Sequence, residues 1–458
     1  MNEDIIKDYG MIKDLIRDKA KSNPNKILMN INGKEISYLS IENKINSIMF
    51  YLDEQNTEIN KLSIRYSDDF MVLVSIIACN RLKIIPVIMP NFNSSIFNYS
   101  SLIKYDFELN DNCIIQDIEE SFDFDDRYNP HDIQCILFTS GSSGLPKAVR
   151  LTFLNIYVSS YSWNGVIGFS PQDRYLNVLP IYHISGLSIY FRAIYYDFTV
   201  FAFKYDKFDF LKIINSYNIN CISLIPKMCM DVINDKDSVS LFKNFKIIII
   251  GGDQINENIF NFFNKNRLNG YVSYGMTETS SGISGYFVKN QPKYKKGYLG
   301  KFHDGVSIVL ENGKIKIFSE SVMYGYENCK PCEGRLLTSD FGYYDDAKLY
   351  FKARKERFII SGGENINLDV VEKLIGEYFP NIDFRVSSKE SEKWGEVIVI
   401  IISGNKDSKL INSMGEYCRK NLPKYMIPKH FLFIKSMLYD EIIQFDEKIK
   451  HAIMDSLK

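Results

Sequence analysis

Hydroxyls, two glycines and one lysine crowd into Thr139-Ser140-Gly141-Ser142-Ser143-Gly144-Leu145-Pro146-Lys147, directly after the apolar run Cys135 to Phe138. Such a stretch suits a polyphosphate. Glycines let backbone N–H groups approach anionic oxygens, hydroxyls add donors, and the lysine adds a full charge. It is not the Walker A loop, G-x-x-x-x-G-K-[ST]. Leu145-Pro146 separate Lys147 from Gly144, and Ala148 follows where a Mg²⁺-binding hydroxyl is required. A polar turn after a strand would carry some of the same residues, so the meaning of the loop depends on what the chain sets beside it.

Three further stretches could do related chemistry. In Gly270-Tyr271-Val272-Ser273-Tyr274-Gly275-Met276-Thr277-Glu278-Thr279 a strand ends near Tyr274-Gly275 and leaves a hydroxyl and a carboxylate on the next loop. A carboxylate there could hold Mg²⁺, which prefers oxygen ligands, against a phosphate. Upstream, Ile247 to Ile250 runs into Gly251-Gly252-Asp253, a strand end against which a flat ring could lie. Asp340, in Thr338-Ser339-Asp340-Phe341-Gly342-Tyr343, and the later Arg354 could accept from and donate to one sugar. Last, Ile359-Ile360-Ser361-Gly362-Gly363-Glu364-Asn365-Ile366 reads as a strand breaking into a glycine-rich turn before a helix.

These segments need a frame. Apolar spacing predicts helices near Ile12 to Lys21 and Ile41 to Leu52, with a hairpin between them turning at Asn32-Gly33. A helix at Met71 to Cys79 then alternates with short apolar strands at Ile84 to Ile88, Cys113 to Gln116, Cys135 to Phe138, Tyr175 to Leu179, Cys221 to Ile225 and Lys246 to Ile250. That pattern predicts an α/β fold of mostly parallel sheets covered by helices. From Gly297 to about Tyr350, tight turns at Asn312-Gly313 and Asp345-Asp346 predict a small β-rich piece. The character changes near Arg354, after which a compact α+β unit is expected, with helices at Leu368 to Tyr378 and Leu410 to Asn421 and a strand at Val397 to Ile402. The expected domains are 1–353 and 354–458.

Composition narrows the class. At 458 residues the chain is too long for one ordinary domain, and 45% hydrophobic with 24% charged residues is a globular balance. A formal net charge of -1 gives no global basic field, which argues against nucleic acid as a partner. No apolar run reaches the ~18 residues of a membrane span, and the acidic start Met1-Asn2-Glu3-Asp4 lacks a signal-peptide core. The eight cysteines fall mostly in apolar runs, as Cys79, Cys135 and Cys221 do, and read as reduced thiols of a cytoplasmic protein. The isolated pair Cys329-Lys330-Pro331-Cys332 has no second pair or nearby histidine to make a metal site.

In order and spacing, the four stretches resemble the core motifs of the adenylate-forming superfamily of acyl-CoA synthetases, peptide-synthetase adenylation domains and luciferases, over about Ile12 to His451. The resemblance implies a large N-terminal domain, a small mobile C-terminal α+β domain, and formation of an acyl-adenylate from a carboxylic acid and ATP, followed by acyl transfer to a thiol. It implies that Thr139, Ser140, Gly141, Ser142, Ser143, Gly144 and Lys147 hold the β- and γ-phosphates. Gly251, Gly252, Asp253, Tyr274 and Gly275 would frame the adenine, Thr277 would contact the α-phosphate, and Glu278 would hold Mg²⁺. Asp340 and Arg354 would take the ribose, Glu356 would stand at a hinge, and Gly362, Gly363 and Glu364 would lie by the thiol acceptor's path. In-line displacement at the α-phosphate builds negative charge, so such catalysis is mainly positioning and cationic stabilisation.

Leu179-Pro180-Ile181-Tyr182-His183-Ile184-Ser185-Gly186-Leu187-Ser188 looks like the o-succinylbenzoate–CoA ligases of menaquinone synthesis, with His183 beside the acyl pocket and Phe153 where many acyl-CoA synthetases carry histidine. The best reading is an AMP-forming acid–thiol ligase for a small aromatic acid, with CoA as acceptor. The alternatives are a related enzyme that loads a carrier protein's phosphopantetheine, and a degenerate, non-catalytic acyl-AMP-binding protein. Departures from the family pattern are Ala148 and Ala353 where glycine is usual, Arg357 where an acid is usual, and a C-terminus without the expected Pro and Gly around its catalytic lysine. Lys448 is the best match for that lysine and Lys450 the second, with loss of the lysine also open.

Overall fold

In the computed structural model the residues described are 11–55, 57–90, 99, 102–139, 146–206, 208–233, 235, 238–354, 358–404 and 406–434. They divide into two compact units, 11–354 and 358–434.

The larger unit holds three main sheets. Inside its nine-stranded sheet lies Ile247–Ile250, four isoleucines that are all buried. An unbroken apolar run of this kind suits a strand covered on both faces. It pairs in parallel with Cys221–Leu224 on one side and Gly270–Met276 on the other. The parallel run continues through Arg174–Asn177 and Thr199–Ala202 to Ile27–Ile31. Antiparallel strands close both edges, Lys34–Ser37 at one and Ser281–Phe287 with Lys301–Phe302 at the other.

A six-stranded sheet carries Ile133–Thr139 parallel to Ile85–Ile88 and antiparallel to Lys147–Thr152. The four-stranded antiparallel sheet of Ser307–Glu311, Lys314–Phe318, Arg335–Asp345 and Lys348–Arg354 is the β-rich piece. In the smaller unit Gly395–Ser403 pairs with Phe384–Ser391, Phe358–Ser361 and His430–Ile434, beside helices Leu368–Tyr378 and Ser408–Asn421. Val371, Ile375, Ile398, Ile400, Met414 and Cys418 supply its core.

The α/β architecture agrees with the alternation of apolar runs. Three local expectations do not survive. Residues 113–116 form no strand, because the chain leaves the sheet at Asn110 and runs on as an irregular segment. The first helix starts only at Leu15, where the Asp14 side chain caps it by accepting from the Arg17 N–H at 2.9 Å; Ile12–Lys13 pairs instead with Arg127–Tyr128. The glycine turn at 362–363 leads into a second strand, Glu364–Asn367, before the helix begins.

Helix Phe153–Ile167 illustrates how local sequence fixes an element near the site. Thr152 and Asn155 form a reciprocal capping box, and Gly168 ends the helix in the left-handed conformation. Asn155 Nδ2 also donates to the Glu320 and Val322 carbonyls at 2.7 and 2.8 Å, tying this helix to the loop that contacts Glu278.

Candidate functional site

The parallel strands of the large sheet release their loops at one carboxyl edge, where α/β proteins place ligands. Ile250 is in register with Val272, so Gly251-Gly252-Asp253 emerges beside Ser273-Tyr274. His183 emerges two strands away, after Arg174–Asn177, at the N-cap of helix Ile184–Tyr196, with its ring 4.7 Å from Tyr182.

Gly270–Met276 breaks register between Tyr274 and Gly275, and the strand runs on to Met276 before Thr277–Thr279 makes one 3₁₀ turn. Gly275 is required by close approach. A Cβ there would lie 2.1 Å from the Ser281 carbonyl oxygen and 2.5 Å from the Gly282 Cα. The turn is followed by two non-glycine residues with positive φ, Ser280 at 56° and Ser281 at 123°. Such backbone costs of order 1–3 kcal/mol per residue and persists only where its surroundings hold it. Here the Ser159 hydroxyl donates to the Ser280 carbonyl at 2.8 Å, the Ser280 hydroxyl donates to the Ser321 carbonyl at 2.8 Å, and Arg192 Nη2 donates to the Ser281 hydroxyl at 2.8 Å. The Met323 N–H donates to the Glu278 carbonyl at 2.9 Å. The Glu278 turn is thus strained and pinned from three directions.

Glu278 and Lys147 meet at one phenol that the motif reading missed. Tyr326 donates its O–H to Glu278 Oε1 at 2.9 Å, and Lys147 Nζ lies 5.2 Å from the centroid of its ring. Burial, and then the Glu278 carboxylate, push the Tyr326 phenol up, so it stays a donor. Lys147 itself opens the strand Lys147–Thr152 and stands opposite Thr139 in the antiparallel ladder. The two ends of the serine-glycine loop are thereby held side by side, and residues 140–145 of that loop lie outside the described residues. The Thr139 hydroxyl is buried with no hydrogen-bond partner among the described residues, the condition expected of a donor awaiting an acceptor. Ala148 replaces a family glycine without strain, because it sits in the ladder opposite Phe138 and is not among the positive-φ residues.

A second pair joins two more of the sequence-derived candidates. Tyr274 donates its O–H to Asp340 Oδ2 at 2.9 Å, and Asp340 is buried. Asp340 is opposite Arg354 across the ladder Arg335–Asp345/Lys348–Arg354, so backbone register alone brings these two distant residues together. Gly362 and Gly363, in the smaller unit, have φ of 61° and 91° and form the two-residue turn between Ser361 and Glu364. Positive φ at both central residues is what a tight hairpin needs. Lys448 and Lys450 lie outside the described residues.

Arg192 was also missed, since one arginine in an apolar helix carries no spacing signal. It is 2% exposed, stacks 4.8 Å from the Trp163 ring centroid, and pairs with no carboxylate among the described residues. Burial pulls its guanidinium down to about 10, so it remains charged at neutral pH. Its Nε is buried without a partner among the described residues. A desolvated charge left in this state is costly unless an anion reaches it.

Nearby, burial and then Arg192 pull the His303 imidazole down to about 4. The unfolded chain takes up that proton near the ordinary histidine pKa of about 6.5. The contribution of neutral His303 to stability is therefore full above pH 6.5 and is lost as pH falls toward 4. Between about pH 7 and pH 4 the wild type is expected to lose up to about 3 kcal/mol more stability than His303→Gln in urea unfolding. Equal losses would mean that the imidazole ionises freely in the folded protein.

Residues 97–326 match the family described as AMP-binding enzyme, a segment that makes up half of the chain and contains Lys147, Glu278 and Tyr326. The chain belongs to the AMP-binding enzyme family. This AMP-binding enzyme is 28% identical over 461 residues to the 2-succinylbenzoate–CoA ligase of Staphylococcus epidermidis, covering 93% of this chain and 94% of that one. It is 31% identical over 320 residues to the 2-succinylbenzoate–CoA ligase of Bacillus subtilis, covering 65% and 64%. Among solved structures it is similar to a double mutant of o-succinylbenzoate CoA synthetase from Bacillus subtilis bound with a product analogue, with TM-score 0.81, 24% identity and coverage of 93% and 96%. The same synthetase in complex with ATP and magnesium ion gives TM-score 0.69 at 23% identity, covering 93% and 97%. At these identities the structural likeness establishes the α/β fold. Among the described residues no helix is long and apolar enough to cross a membrane.

Proposed function

We propose that this AMP-binding enzyme is an ATP-dependent acid–thiol ligase whose acid is 2-succinylbenzoate and whose thiol is CoA. The reaction class rests on one observation: Lys147, at the start of a strand of the six-stranded sheet, and Glu278, in the turn after a strand of the nine-stranded sheet, meet at Tyr326 inside the family-matched segment. In the first half-reaction a carboxylate oxygen of the acid attacks the α-phosphorus of ATP and pyrophosphate leaves. In the second, the thiol attacks the acyl carbonyl, AMP leaves, and the thiol proton passes to solvent. Lys147, the Thr139 hydroxyl and residues 140–144 would bind the phosphates. Asp340, Arg354 and Tyr274 would hold the nucleoside, with Gly251, Gly252, Asp253 and Gly275 around the base and Thr277 at the α-phosphate. Glu278 would hold Mg²⁺, which when bound neutralises phosphate charge. Lys448 remains the proposed lysine of the first half-reaction. The smaller domain, 354–458, would bring Gly362, Gly363 and Glu364 to the thiol in the second.

The choice of acid is supported by the relatives' names and by Arg192. 2-Succinylbenzoate keeps one carboxylate after the other is activated, and Arg192 is a buried cation with no carboxylate partner among the described residues. His183 opens the same helix and would flank the acyl group. Both named sequence relatives are CoA ligases, which favours CoA over a carrier protein. An AMP-release assay with CoA and a panel of acids tests this reading. Turnover with 2-succinylbenzoate at least about tenfold above benzoate or a mono-acid aryl ketone is expected, since a buried pair of charges is worth more than one such factor. Equal turnover with mono-acids would remove the second carboxylate from recognition, and no AMP release with any acid would count against ligase activity.

A further inference from the structure

Tyr326 touches both Lys147 and Glu278, and the way it is mounted argues for a role. It belongs to a two-residue strand, Gly325–Tyr326, paired antiparallel with Val149–Arg150. Tyr326 stands directly opposite Val149, and Lys147 lies two residues before Val149 on the same face of that strand. The phenol ring therefore reaches the ammonium as a diagonal cross-strand neighbour.

The short strand is held at both ends. The Tyr324 N–H donates to the Arg150 carbonyl at 3.0 Å and the Glu327 N–H to the Ala148 carbonyl at 2.8 Å. Arg150 Nη2 donates to the carbonyls of Tyr326 at 2.9 Å and Cys329 at 2.7 Å, while its guanidinium stacks 4.7 Å from the Tyr324 ring centroid. Glu327 pairs with Lys61 as well as Arg150. A tyrosine fixed this firmly at its backbone presents its ring and its hydroxyl at set positions, so whatever they touch is set as well.

We propose that Tyr326 is a positioning residue that couples the phosphate-binding lysine to the metal-binding carboxylate. Its ring face seats the Lys147 ammonium, and its hydroxyl occupies one oxygen of Glu278 and so orients the carboxylate toward the cation. The two charges that must meet Mg²⁺-ATP are thus spaced before the nucleotide arrives. This rests on the reading of Lys147 and Glu278 given under Proposed function.

The two contacts separate by substitution. Tyr326→Phe keeps the ring and removes the hydroxyl, whereas Tyr326→Leu removes both. The test is binding of a fluorescent ATP analogue titrated with Mg²⁺, which needs neither acid nor thiol. In Tyr326→Phe the Mg²⁺ concentration for half-maximal binding is expected to rise about five- to tenfold, the scale of a hydrogen bond to a charged group, with Kd at saturating Mg²⁺ changed less than about twofold. In Tyr326→Leu the Kd at saturating Mg²⁺ should also rise, by about threefold or more, from loss of the cation–π contact. Unchanged Mg²⁺ dependence in Tyr326→Phe, with wild type binding normally, overturns the coupling and leaves the site reading intact. Parallel shifts of both parameters in both variants mean that Tyr326 acts only on the fold, which also overturns it. A wild type that binds no nucleotide at any Mg²⁺ concentration overturns the site reading and this proposal together.

Discussion

Glu278→Gln is expected to lower pyrophosphate exchange by about 10²- to 10³-fold while leaving the protein folded. Glutamine matches glutamate in shape, and its side-chain carbonyl can still accept the Tyr326 O–H that now meets Oε1 at 2.9 Å. The backbone bond from Met323 to the Glu278 carbonyl does not depend on the side chain. The surrounding positive-φ turn is held by Ser159, Ser280 and Arg192, none of which the substitution touches. Only the negative charge is lost, and Mg²⁺ binding depends on charged oxygen ligands. The effect should therefore fall on exchange and on its Mg²⁺ requirement, with the thermal midpoint within about a degree of wild type, as a substitution free of packing change implies. Exchange within about threefold of wild type would remove Glu278 from the reaction.

The second large effect is on stability. Arg81→Met is expected to cost about 3–5 kcal/mol, against the 5–15 kcal/mol that holds an ordinary domain together. The Arg81 side chain is fully buried between two acids. Its Nε donates to Asp14 Oδ2 at 2.9 Å and its Nη1 to Glu42 Oε1 at 2.9 Å, while Tyr128 donates to Asp14 Oδ2 at 2.5 Å. The cluster joins the cap of helix Leu15–Ser22 to helices Tyr38–Asp53 and Asp69–Arg81. Burial alone would push the Asp14 carboxyl up, but the charge and hydrogen bonds of Arg81 outweigh it and hold the group below the usual carboxylate range. Methionine fills the space and abandons two carboxylates in a dry environment, which is where the cost arises. Urea unfolding at neutral pH measures it. Adding Asp14→Asn and Glu42→Gln to Arg81→Met should recover much of the loss, because removing a whole buried ion cluster is far cheaper than removing one member. A loss below about 1 kcal/mol in the single variant would show that water reaches the cluster, as for a surface pair.

These two clusters differ in how well the chain announced them. Glu278 stood out because a hydroxyl and a carboxylate follow an apolar strand beside glycine. The apolar runs also led to the right sheet for Ile247–Ile250 and to the helices of the smaller unit, since burial on both faces leaves a continuous signature in sequence. Cys113 to Gln116 misled because an apolar run of four resembles a strand whether or not a neighbour offers it hydrogen bonds. Arg81, Arg192 and Tyr326 gave no sign at all. A lone arginine in a helix and a tyrosine after glycine have no characteristic spacing, and what makes them important is the partner each meets.

The sequence by itself determined the reaction class it resembles, the α/β order of elements and most of the candidate residues, because strand ends, glycine turns and phosphate-binding side chains are local features. Tertiary structure decided how those residues are joined. Lys147 and Glu278 share a phenol from a two-residue strand, and Asp340 meets Tyr274 from another sheet. Arg192 is buried against Trp163 and Ser281, far along the chain from both. Such contacts are set by sheet register and by which helix covers which face, and those are properties of the folded chain with no counterpart in neighbouring residues.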